Sequence, residues 1–193
     1  APTMRLMSAD FSQPQQLHQH IWAMIIAGCA DPANDLHWPM LASTTVASEH
    51  VAAEPNVRTV VLRAASEEGR WLECHSAMQT GKIAELQAQP IAMMAFNDRP
   101  SRQQLRLKGE VSIHNNDAHA KQIWATLSAR QHPEYGSIEQ FAVLRLHVQS
   151  IDWLRLGKTR HDRIRLEYPA GNGLASGSPT GTEAAPIARH LSP

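Results

Sequence analysis

Apolar and polar residues alternate most clearly between Gln103 and His114. Every second residue there is apolar or small, and the residues between them are polar or charged, so the stretch has two distinct faces. A period of two residues predicts a strand with one buried face and leaves little room for a helix. The apolar face carries Leu105, Leu107, Gly109, Val111 and Ile113, and the polar face carries Gln104, Arg106, Lys108 and Glu110.

A β-hairpin is predicted upstream of this strand. Residues 58–63 and the segment that begins at Trp71 are rich in β-branched and apolar side chains, and an acidic turn closed by Gly69 joins them. Similar patterns predict further strands. They are Leu41–Val46, residues 91–96 as a strand buried on both faces, residues 141–148, residues 150–156, and residues 160–168, where Ile164, Leu166 and Tyr168 alternate with Arg163, Arg165 and Glu167.

Helical spacing recurs in three segments between the predicted strands. The first has Pro14 in its opening turn, the second follows Thr80 as a capping residue and stops at Pro90, and the third is capped by Asn116 or Asp117. Each helix has one apolar face that can cover a sheet. These faces carry Leu17, Ile21, Met24 and Ile25 in the first helix, Ile83 and Leu86 in the second, and Ile123, Trp124 and Leu127 in the third.

The order and number of these elements indicate the fold class. About seven short strands with a few helices, without regular β-helix-β alternation, favour an antiparallel barrel over a doubly wound sheet. With 193 residues of which 42% are hydrophobic, we expect one domain over residues 1–193. Residues 169–182 are too poor in apolar side chains to offset their ordering entropy, so they are predicted to be a mobile loop, after which the tail regains apolar residues and can dock.

Charge and cysteine content exclude several classes of protein. Eighteen basic and eighteen acidic residues cancel, which gives no argument for nucleic acid or a membrane surface as partner. Cys29 and Cys74 are far apart in sequence and suggest neither a disulfide framework nor a zinc site. No apolar stretch reaches membrane-spanning length and no export leader is evident, so we expect a soluble, cytoplasmic protein.

The start of the second helix is a candidate phosphate site. Free amides at the helix start, where Gly81 lets a ligand approach the backbone, with Lys82 in the first turn and Arg58 on a neighbouring strand, can together bind a phosphate. The alternative is two surface cations beside an ordinary helix cap. A wider set suits a flat aromatic ligand that carries a phosphate, although a solvated basic face with a core tryptophan explains the same residues. This set contains Arg58, Arg63, Lys82, Arg160 and Arg163 together with Gln104 and Trp153.

Histidines do not form a recognisable metal motif. The chain has eleven, but no HExxH or other closely paired ligand pattern occurs, so we expect no metal site.

The joint order of several short motifs resembles the pyridoxamine 5′-phosphate oxidase superfamily of FMN-binding split barrels. Each motif is weak alone, but their order is specific and runs through most of the chain. The segments IWAMIIAGCADP and HWPMLASTTV look most like the oxidase-related FMN-binding branch rather than the vitamin B6 enzyme itself. The other motifs are RTVVLR, CHSAMQTGK, AELQAQP, RQQLRLKGEV, DWLRLGKTRHDR and the closing LSP.

This resemblance implies a six-stranded antiparallel split barrel that forms a homodimer, with FMN in each of two clefts between the subunits. Lys82 matches the lysine that binds the FMN phosphate, Gly81 replaces the arginine usual before it, and Arg63 stands where the B6 oxidases have lysine. Arg63, Arg160 and His161 fall at substrate positions. The cofactor-binding positions are Arg58, Val60, Val61, Leu62, Arg63, His75, Ser76, Gly81, Lys82, Gln104, Trp153 and Arg163.

The same resemblance implies an FMN-dependent oxidoreductase acting on an unidentified small substrate. FMN carries the hydride chemistry in such proteins, while the protein supplies position and electrostatics. His161 is the first candidate for an acid or base. Thr159 stands where the B6 enzyme has its substrate-phosphate arginine, so we expect that specificity to be lost. The alternative is a non-catalytic flavin-binding or haem-binding split barrel.

Overall fold

The computed structural model describes Phe11, residues 13–169 and residues 185–191. Its helices are α1 Pro14–Ala30, α2 Gly81–Ala88, α3 Ala118–Thr126 and α4 His132–Tyr135, with a short 3-10 helix at Asp35–His37. The strands are β1 Met40–Thr44, β2 Pro55–Thr59, β3 Ala64–Ser66, β4 Trp71–Ala77, β5 Ile91–Asp98, β6 Gln103–Asn115, β7 Phe141–Leu156, β8 His161–Glu167 and β9 Ile187–His190. Of these helices, none has the length and apolar character that a membrane span requires.

The strands form one antiparallel sheet in the order β2-β1-β5-β6-β7-β4-β3, and β8 and β9 extend it beside β7. β2 and β3 lie at opposite ends of this order but follow each other in the chain. The amides of Val60 and Leu62 still donate to the carbonyls of Pro39 and His37, both at 2.9 Å. The amide of Arg63 turns to the carbonyl of Glu73 on β4 at 2.8 Å. Residues 55–66 therefore close the sheet into a barrel, with six strand positions when β2 and β3 are counted as one bent strand.

The predicted antiparallel barrel with flanking helices is thus confirmed, while two strand assignments were wrong. Residues 58–63 were expected to form one strand, but only Arg58 and Thr59 belong to β2, because the chain there changes partner from β1 to β4. Residues 141–148 and 150–156 were expected as two strands, but they form the single strand β7.

A bulge explains why β7 runs on without a break. Gly109 of β6 pairs with Val148, and Lys108 pairs with Ser150, so Gln149 is the extra residue. A Cβ atom on Gly109 would lie 1.8 Å from the carbonyl oxygen of His147. Only glycine allows the backbones of β6 and β7 to approach this closely.

Two apolar clusters hold the elements together. α1 buries its predicted apolar face, including Leu17, Ile21 and Ile25, against the main core under the barrel. A smaller cluster forms outside the barrel around Phe141 and Tyr135, where Ile123, Trp124 and Leu127 of the third helical segment pack.

Details at the element ends test the local predictions. Asp117, one of the two proposed caps of α3, accepts a hydrogen bond from the Ala120 amide at 2.8 Å. Thr80 occupies the N-cap position of α2, but its hydroxyl donates to the Ala77 carbonyl instead of capping, so that prediction was wrong. β5 was predicted to be buried on both faces. That prediction was wrong, because buried residues alternate with half-buried ones along most of the strand.

The C-terminal tail docks as predicted. β9 pairs with β8, and the Leu191 amide donates to the Arg163 carbonyl at 2.9 Å. The loop predicted to be mobile at 169–182 lies outside the described residues except for Pro169.

We predict that Gly109→Ala destabilises the protein by on the order of 2 kcal/mol, because the new methyl group overlaps the His147 carbonyl and forces β6 and β7 apart. Urea unfolding measures the loss. Gly81→Ala is the matched control, since a Cβ there meets only Glu85 Oε1 at 3.9 Å. Equal stability of the two variants would contradict the role given to Gly109.

Candidate functional site

The residues singled out from the sequence lie in two separate groups. One group surrounds the start of α2 and the adjoining parts of β2 and β4, and the other lies where β6, β7 and β8 run together. His75 in the first group pairs with Val143, and Trp153 in the second lies ten residues further along β7. At about 3.3 Å per residue, the two groups are roughly 33 Å apart along the strand. One copy of the chain therefore does not bring them together.

Lys82 is the centre of the first group. Its ammonium donates to the Ser76 hydroxyl at 3.1 Å and lies 3.4 Å from the Thr80 hydroxyl. Burial lowers the pKa of Lys82, and the nearby Arg58 charge lowers it further. The arrangement presents one cation, two hydroxyls and the free amides of α2 in a small volume, which is chemistry suited to an oxyanion.

Arg58 lies close to Lys82 but is already paired. Its guanidinium bonds Glu85 Oε2 at 2.9 Å and also the Ser43 hydroxyl. Glu85 in turn accepts from Asn56 at 2.8 Å and from Ser43 at 2.5 Å. Burial raises the pKa of Glu85, but the hydrogen bonds from Ser43 and Arg58 together hold it below its usual value. The Glu85 carboxylate therefore stays ionised and neutralises Arg58.

Sequence reasoning missed Ser43, Asn56 and Glu85. A signal for Glu85 was present, because it follows Lys82 by three residues on a helix and so lies on the same face. No comparable signal marked Ser43 or Asn56, which reach the site from the paired strands β1 and β2.

Two buried polar atoms near the first group lack a partner. Nε of Arg63 and Nδ1 of His75 are inaccessible to solvent and make no hydrogen bond with the described residues. The His75 ring packs against Phe141 and Tyr135, with ring centres 5.0 and 6.1 Å away. Burial, with a smaller contribution from the Arg63 charge, lowers the pKa of His75 to about 4. Unpaired buried donors and acceptors are costly, so this is a place where a ligand can supply hydrogen bonds.

The backbone beside these atoms also has an unpaired hydrogen-bond donor. The amides of Val60 and Leu62 point to the β1 side of the barrel, and by alternation the Val61 amide points away from it. The Val61 amide forms no hydrogen bond with any described residue. The predicted contact residues Val60, Val61 and Leu62 thus offer one free donor.

The second group is divided between the two faces of the sheet. Gln104, Leu154 and Arg163 lie in one cross-strand row. Trp153 lies in the next row with Ile164, and neighbouring rows face opposite sides. Trp153 is 1% exposed, and its indole donates to Gln103 Oε1 at 2.6 Å. Gln104 and Arg163 can therefore meet one ligand surface, whereas the Trp153 side chain belongs to the core.

Arg163 is held by a buried carboxylate. Its Nε and Nη2 donate to Asp152 at 3.1 and 2.8 Å, and Arg106 donates to the same carboxylate at 2.7 Å. Burial raises the pKa of Asp152, but the Arg163 hydrogen bond and the Arg106 charge together keep it below its ordinary value.

Beside Trp153 there is a cavity of about 290 Å³. Arg160 and His161, both exposed, line it as candidate substrate residues. Phe11 and His190 also line it and were missed, because they come from opposite ends of the chain and nothing local marks them. Elsewhere in the described part of the chain, no three histidine, cysteine or acidic side chains gather in a way that can hold a metal ion.

The closed antiparallel barrel and the site motifs define the class of protein. The sequence matches the family model "Pyridoxamine 5′-phosphate oxidase, FMN-binding domain" over residues 19–115, about half of the chain. The chain therefore belongs to the pyridoxamine 5′-phosphate oxidase FMN-binding domain family. No protein of curated function matches the sequence significantly.

Solved structures share the fold at low sequence identity. PhzG from Burkholderia lata, in complex with tetrahydrophenazine-1-carboxylic acid, has a TM-score of 0.68 at 16% identity, covering 94% of this chain and 93% of its own. A pyridoxamine 5′-phosphate oxidase-related, FMN-binding protein from Nostoc punctiforme has a TM-score of 0.65 at 16% identity, covering 96% and 98%. A heme-binding protein from Mycobacterium smegmatis has a TM-score of 0.50 at 21% identity, covering 73% and 55%.

We predict that His75→Gln flattens the acid dependence of stability. The unfolded chain binds a proton on His75 near pH 6.5, but the folded chain binds it only near pH 4. The unfolded state therefore takes up more protons in this window, and stability is lost as the pH falls through it. Urea unfolding at neutral pH and at pH about 5 measures the difference. His50→Gln, at an exposed loop position, is the control, and an equal acid effect in both variants would refute the assignment.

Proposed function

We propose that this protein binds FMN and uses it in an oxidation or reduction of an unidentified small molecule. The observation that carries the proposal is the pair of unpartnered buried atoms, Arg63 Nε and His75 Nδ1, at positions that match the flavin contacts of the family. When bound, FMN supplies hydride transfer, a reaction that the side chains cannot perform.

The ring of the flavin fits the open segment between β2 and β3. The Val61 amide, the Arg63 guanidinium and the His75 imidazole are hydrogen-bonding groups that a ring edge with carbonyl oxygens and nitrogens can satisfy. The Phe141 and Tyr135 rings keep water from His75, which strengthens any hydrogen bond formed there.

The phosphate of FMN fits the start of α2, although with fewer charges than the sequence suggested. Lys82, the Ser76 and Thr80 hydroxyls and the α2 amides can hold it. Arg58 contributes little net charge because Glu85 neutralises it. Gly81 leaves open space where the family has an arginine. We therefore expect FMN to dissociate more readily than from a site with three free cations.

The second group of matched residues supports a site shared by two chains. Gln104 and Arg163 are level with Leu154, eleven residues along β7 from the partner of His75, or roughly 36 Å, too far for one chain to place both groups on one flavin ring. A twofold homodimer solves this, because each group then faces the opposite group of the partner. We propose that each of two FMN sites takes its phosphate residues from one subunit and Gln104 and Arg163 from the other.

The substrate would bind next to the flavin, near Arg63 or near Arg160 and His161. His161 is the candidate for moving a proton, since it is exposed at the start of β8 and lines the cavity. Vitamin B6 phosphates are not proposed as substrates. Thr159 offers a hydroxyl where that reaction relies on a guanidinium, and a neutral group cannot replace bidentate charge pairing.

The absorbance spectrum and released cofactor of the purified protein test the proposal. A flavin spectrum, with FMN identified by mass spectrometry, is the expected result. A Soret band would favour the haem-binding alternative, as in the fold relative from Mycobacterium smegmatis, and binding of FMN without reduction by any donor would favour a non-catalytic flavin carrier.

We predict that Lys82→Ala weakens FMN binding about ten- to a hundredfold, because a charge-assisted hydrogen bond to phosphate is lost. Arg58→Ala should weaken it in the same direction. Gly81→Arg should strengthen it about tenfold, since a side chain fits there and restores a cation. Fluorescence titration with FMN measures all three, and riboflavin, which lacks the phosphate, is the control ligand. Identical affinities of Lys82→Ala and the unmodified protein would remove the phosphate assignment.

We predict that two impaired variants complement each other when they are mixed. Lys82→Ala and Arg163→Ala homodimers each carry a defect in both sites, but a mixed dimer contains one site with neither defect. Mixing after partial unfolding and refolding should restore tight FMN binding, measured by titration against each variant alone. A mixture of Lys82→Ala with Ser76→Ala, whose defects lie in the same half-site, is the control. Absence of recovery in the first mixture would argue against a shared site.

A further inference from the structure

A serine, two histidines and an aspartate meet on one face of the sheet, where β6 ends and α3 begins. Ser112 and His114 lie two residues apart on β6, so both side chains project from the same face. Asp117 follows β6 as the N-cap residue of α3. Ser112 pairs with Arg145 of β7, and His147 lies two residues further along that strand on this face. The function proposed above uses none of these side chains.

The hydrogen bonds of this group join the hydroxyl to the carboxylate through one imidazole. The Ser112 hydroxyl lies 3.2 Å from His114 Nε2, and His114 Nδ1 lies 2.8 Å from Asp117 Oδ2. An ionised carboxylate only accepts hydrogen bonds, so Nδ1 of the neutral ring carries the proton and Nε2 is left to accept from the Ser112 hydroxyl. This is the connectivity in which a histidine takes the proton of a nucleophilic serine.

Asp117 is fixed at both carboxylate oxygens. Oδ1 accepts from the Ala120 amide at 2.8 Å, and Oδ2 accepts from His114 Nδ1. Burial raises the pKa of Asp117, but these two hydrogen bonds together hold it below its usual value, so the carboxylate stays ionised at neutral pH. An anchored carboxylate keeps the imidazole in one orientation and one tautomer, which is the role of the third member of a serine hydrolase triad.

His147 approaches the same hydroxyl but has a different environment. Its Nε2 lies 3.0 Å from the Ser112 hydroxyl, and no carboxylate among the described residues bonds its ring. Burial, with a smaller contribution from the Arg145 charge, lowers the pKa of His147, so this ring is neutral at neutral pH. Nε2–H of His147 can then donate to the Ser112 oxygen, and a donor at this oxygen favours the negative charge that develops as the proton leaves.

We propose that Ser112 is a nucleophile that hydrolyses small uncharged carboxylic esters, with His114 as its base and Asp117 as the positioning residue. The Ser112 oxygen bonds to the acyl carbon while its proton passes to His114 Nε2. The bond from the acyl carbon to the ester oxygen breaks, and the alcohol leaves with that proton. Water then attacks the acyl carbon and gives a proton to His114, and the acid leaves as Ser112 regains its proton. Ester and water are the only reactants.

The charges around Ser112 favour an uncharged substrate. The Arg145 guanidinium is paired with the buried Glu73 carboxylate at 2.7 Å, which removes most of its attraction for an anion. Asp117 is ionised, and Glu110, the cross-strand partner of His147, adds a second negative charge. The local balance is therefore negative and repels an acyl chain that ends in a carboxylate. Ser112 is half-buried and the His114 side chain is 25% exposed, so a small ester can reach the hydroxyl.

Diisopropyl fluorophosphate tests the nucleophile directly. In this reaction the Ser112 oxygen bonds to phosphorus, fluoride leaves, and the serine proton passes to His114. Mass spectrometry of peptides from the treated, FMN-loaded protein is expected to show one diisopropylphosphoryl group, on Ser112. His114→Gln should slow this labelling roughly a hundredfold, because the base is lost. Ser150→Ala is the matched control and should leave the labelling unchanged, since Ser150 is also half-buried on a strand but forms no hydrogen bond with a histidine among the described residues.

Hydrolysis of 4-nitrophenyl acetate measures turnover. Ser112→Ala should lower kcat/KM by about tenfold or more, after subtraction of the buffer rate. Asp117→Asn should lower kcat about tenfold without changing KM or the urea unfolding midpoint. Asparagine still caps α3, but its one oxygen cannot accept from both the Ala120 amide and His114. Mono-4-nitrophenyl glutarate, whose acyl chain ends in a carboxylate, should react more slowly than the acetate.

Three results would overturn the proposal: no label on Ser112, labelling of His114→Gln at the rate of the unmodified protein, or equal ester hydrolysis by Ser112→Ala and Ser150→Ala. The first result needs no variant, so it counts even where a variant fails to fold. The proposal does not depend on bound flavin, and the same labelling is expected from the FMN-free protein. Failure of FMN to bind would remove the function proposed above and leave this site as it is.

Discussion

The structure depends on the change of partner that the backbone makes between Val60 and Arg63. The amides of Val60 and Leu62 bond the β1 side, and from Arg63 onward the backbone bonds β4, so this short stretch joins the two ends of the sheet. The same change shapes the candidate site. Where the backbone leaves one neighbour before gaining the next, the Val61 amide is left without a partner, and Arg63 and His75 are buried beside it with unpaired nitrogens. The change of partner that closes the barrel thus also leaves these hydrogen-bonding groups unpaired, whereas a continuous strand would only close the barrel.

The electrostatics of the site are set by carboxylates as much as by cations. Glu85 and Asp152 are each nearly enclosed and each hold an arginine that sequence matching assigns to the ligand. A buried carboxylate so paired fixes the guanidinium in one orientation and removes most of its net charge. The N–H groups of Arg58 and Arg163 that remain unpaired are held in a fixed orientation. Because each guanidinium is neutralised by its carboxylate, it attracts a distant anion only weakly. Among the described residues Lys82 hydrogen-bonds only the Ser76 and Thr80 hydroxyls, so it remains a cation of the first group that no carboxylate neutralises.

Residues with strong local signals were predictable. The period-two pattern of residues 103–114 reappears as β6 with alternating burial, and the glycine-closed acidic turn reappears between β3 and β4. The prediction of a single strand over residues 58–63 was wrong. The backbone there changes its partner from β1 to β4, and this change depends on the tertiary structure and has no local cause in the sequence. The break expected in β7 has a similar origin, since the close approach of Gly109 lets a bulge absorb the polar residues around Gln149. Motif order marked candidate residues such as Lys82 and Arg163, whereas Glu85 and His190 carry no local mark because only the fold brings them near the candidate residues.

A list of cations taken from a sequence overstates what a site can bind, and the two faces of β7 and β8 show why. Arg163 and Trp153 are both matched to the flavin, yet adjacent rows of a sheet point to opposite sides, so one side chain faces outward while the other is 1% exposed. The cavity beside Trp153 nevertheless takes residues from both rows, since Arg163 lines it together with Trp153 and Ile164. Alternation along a strand therefore decides which side chains join the core, but it does not by itself divide the residues of β8 between two separate sites.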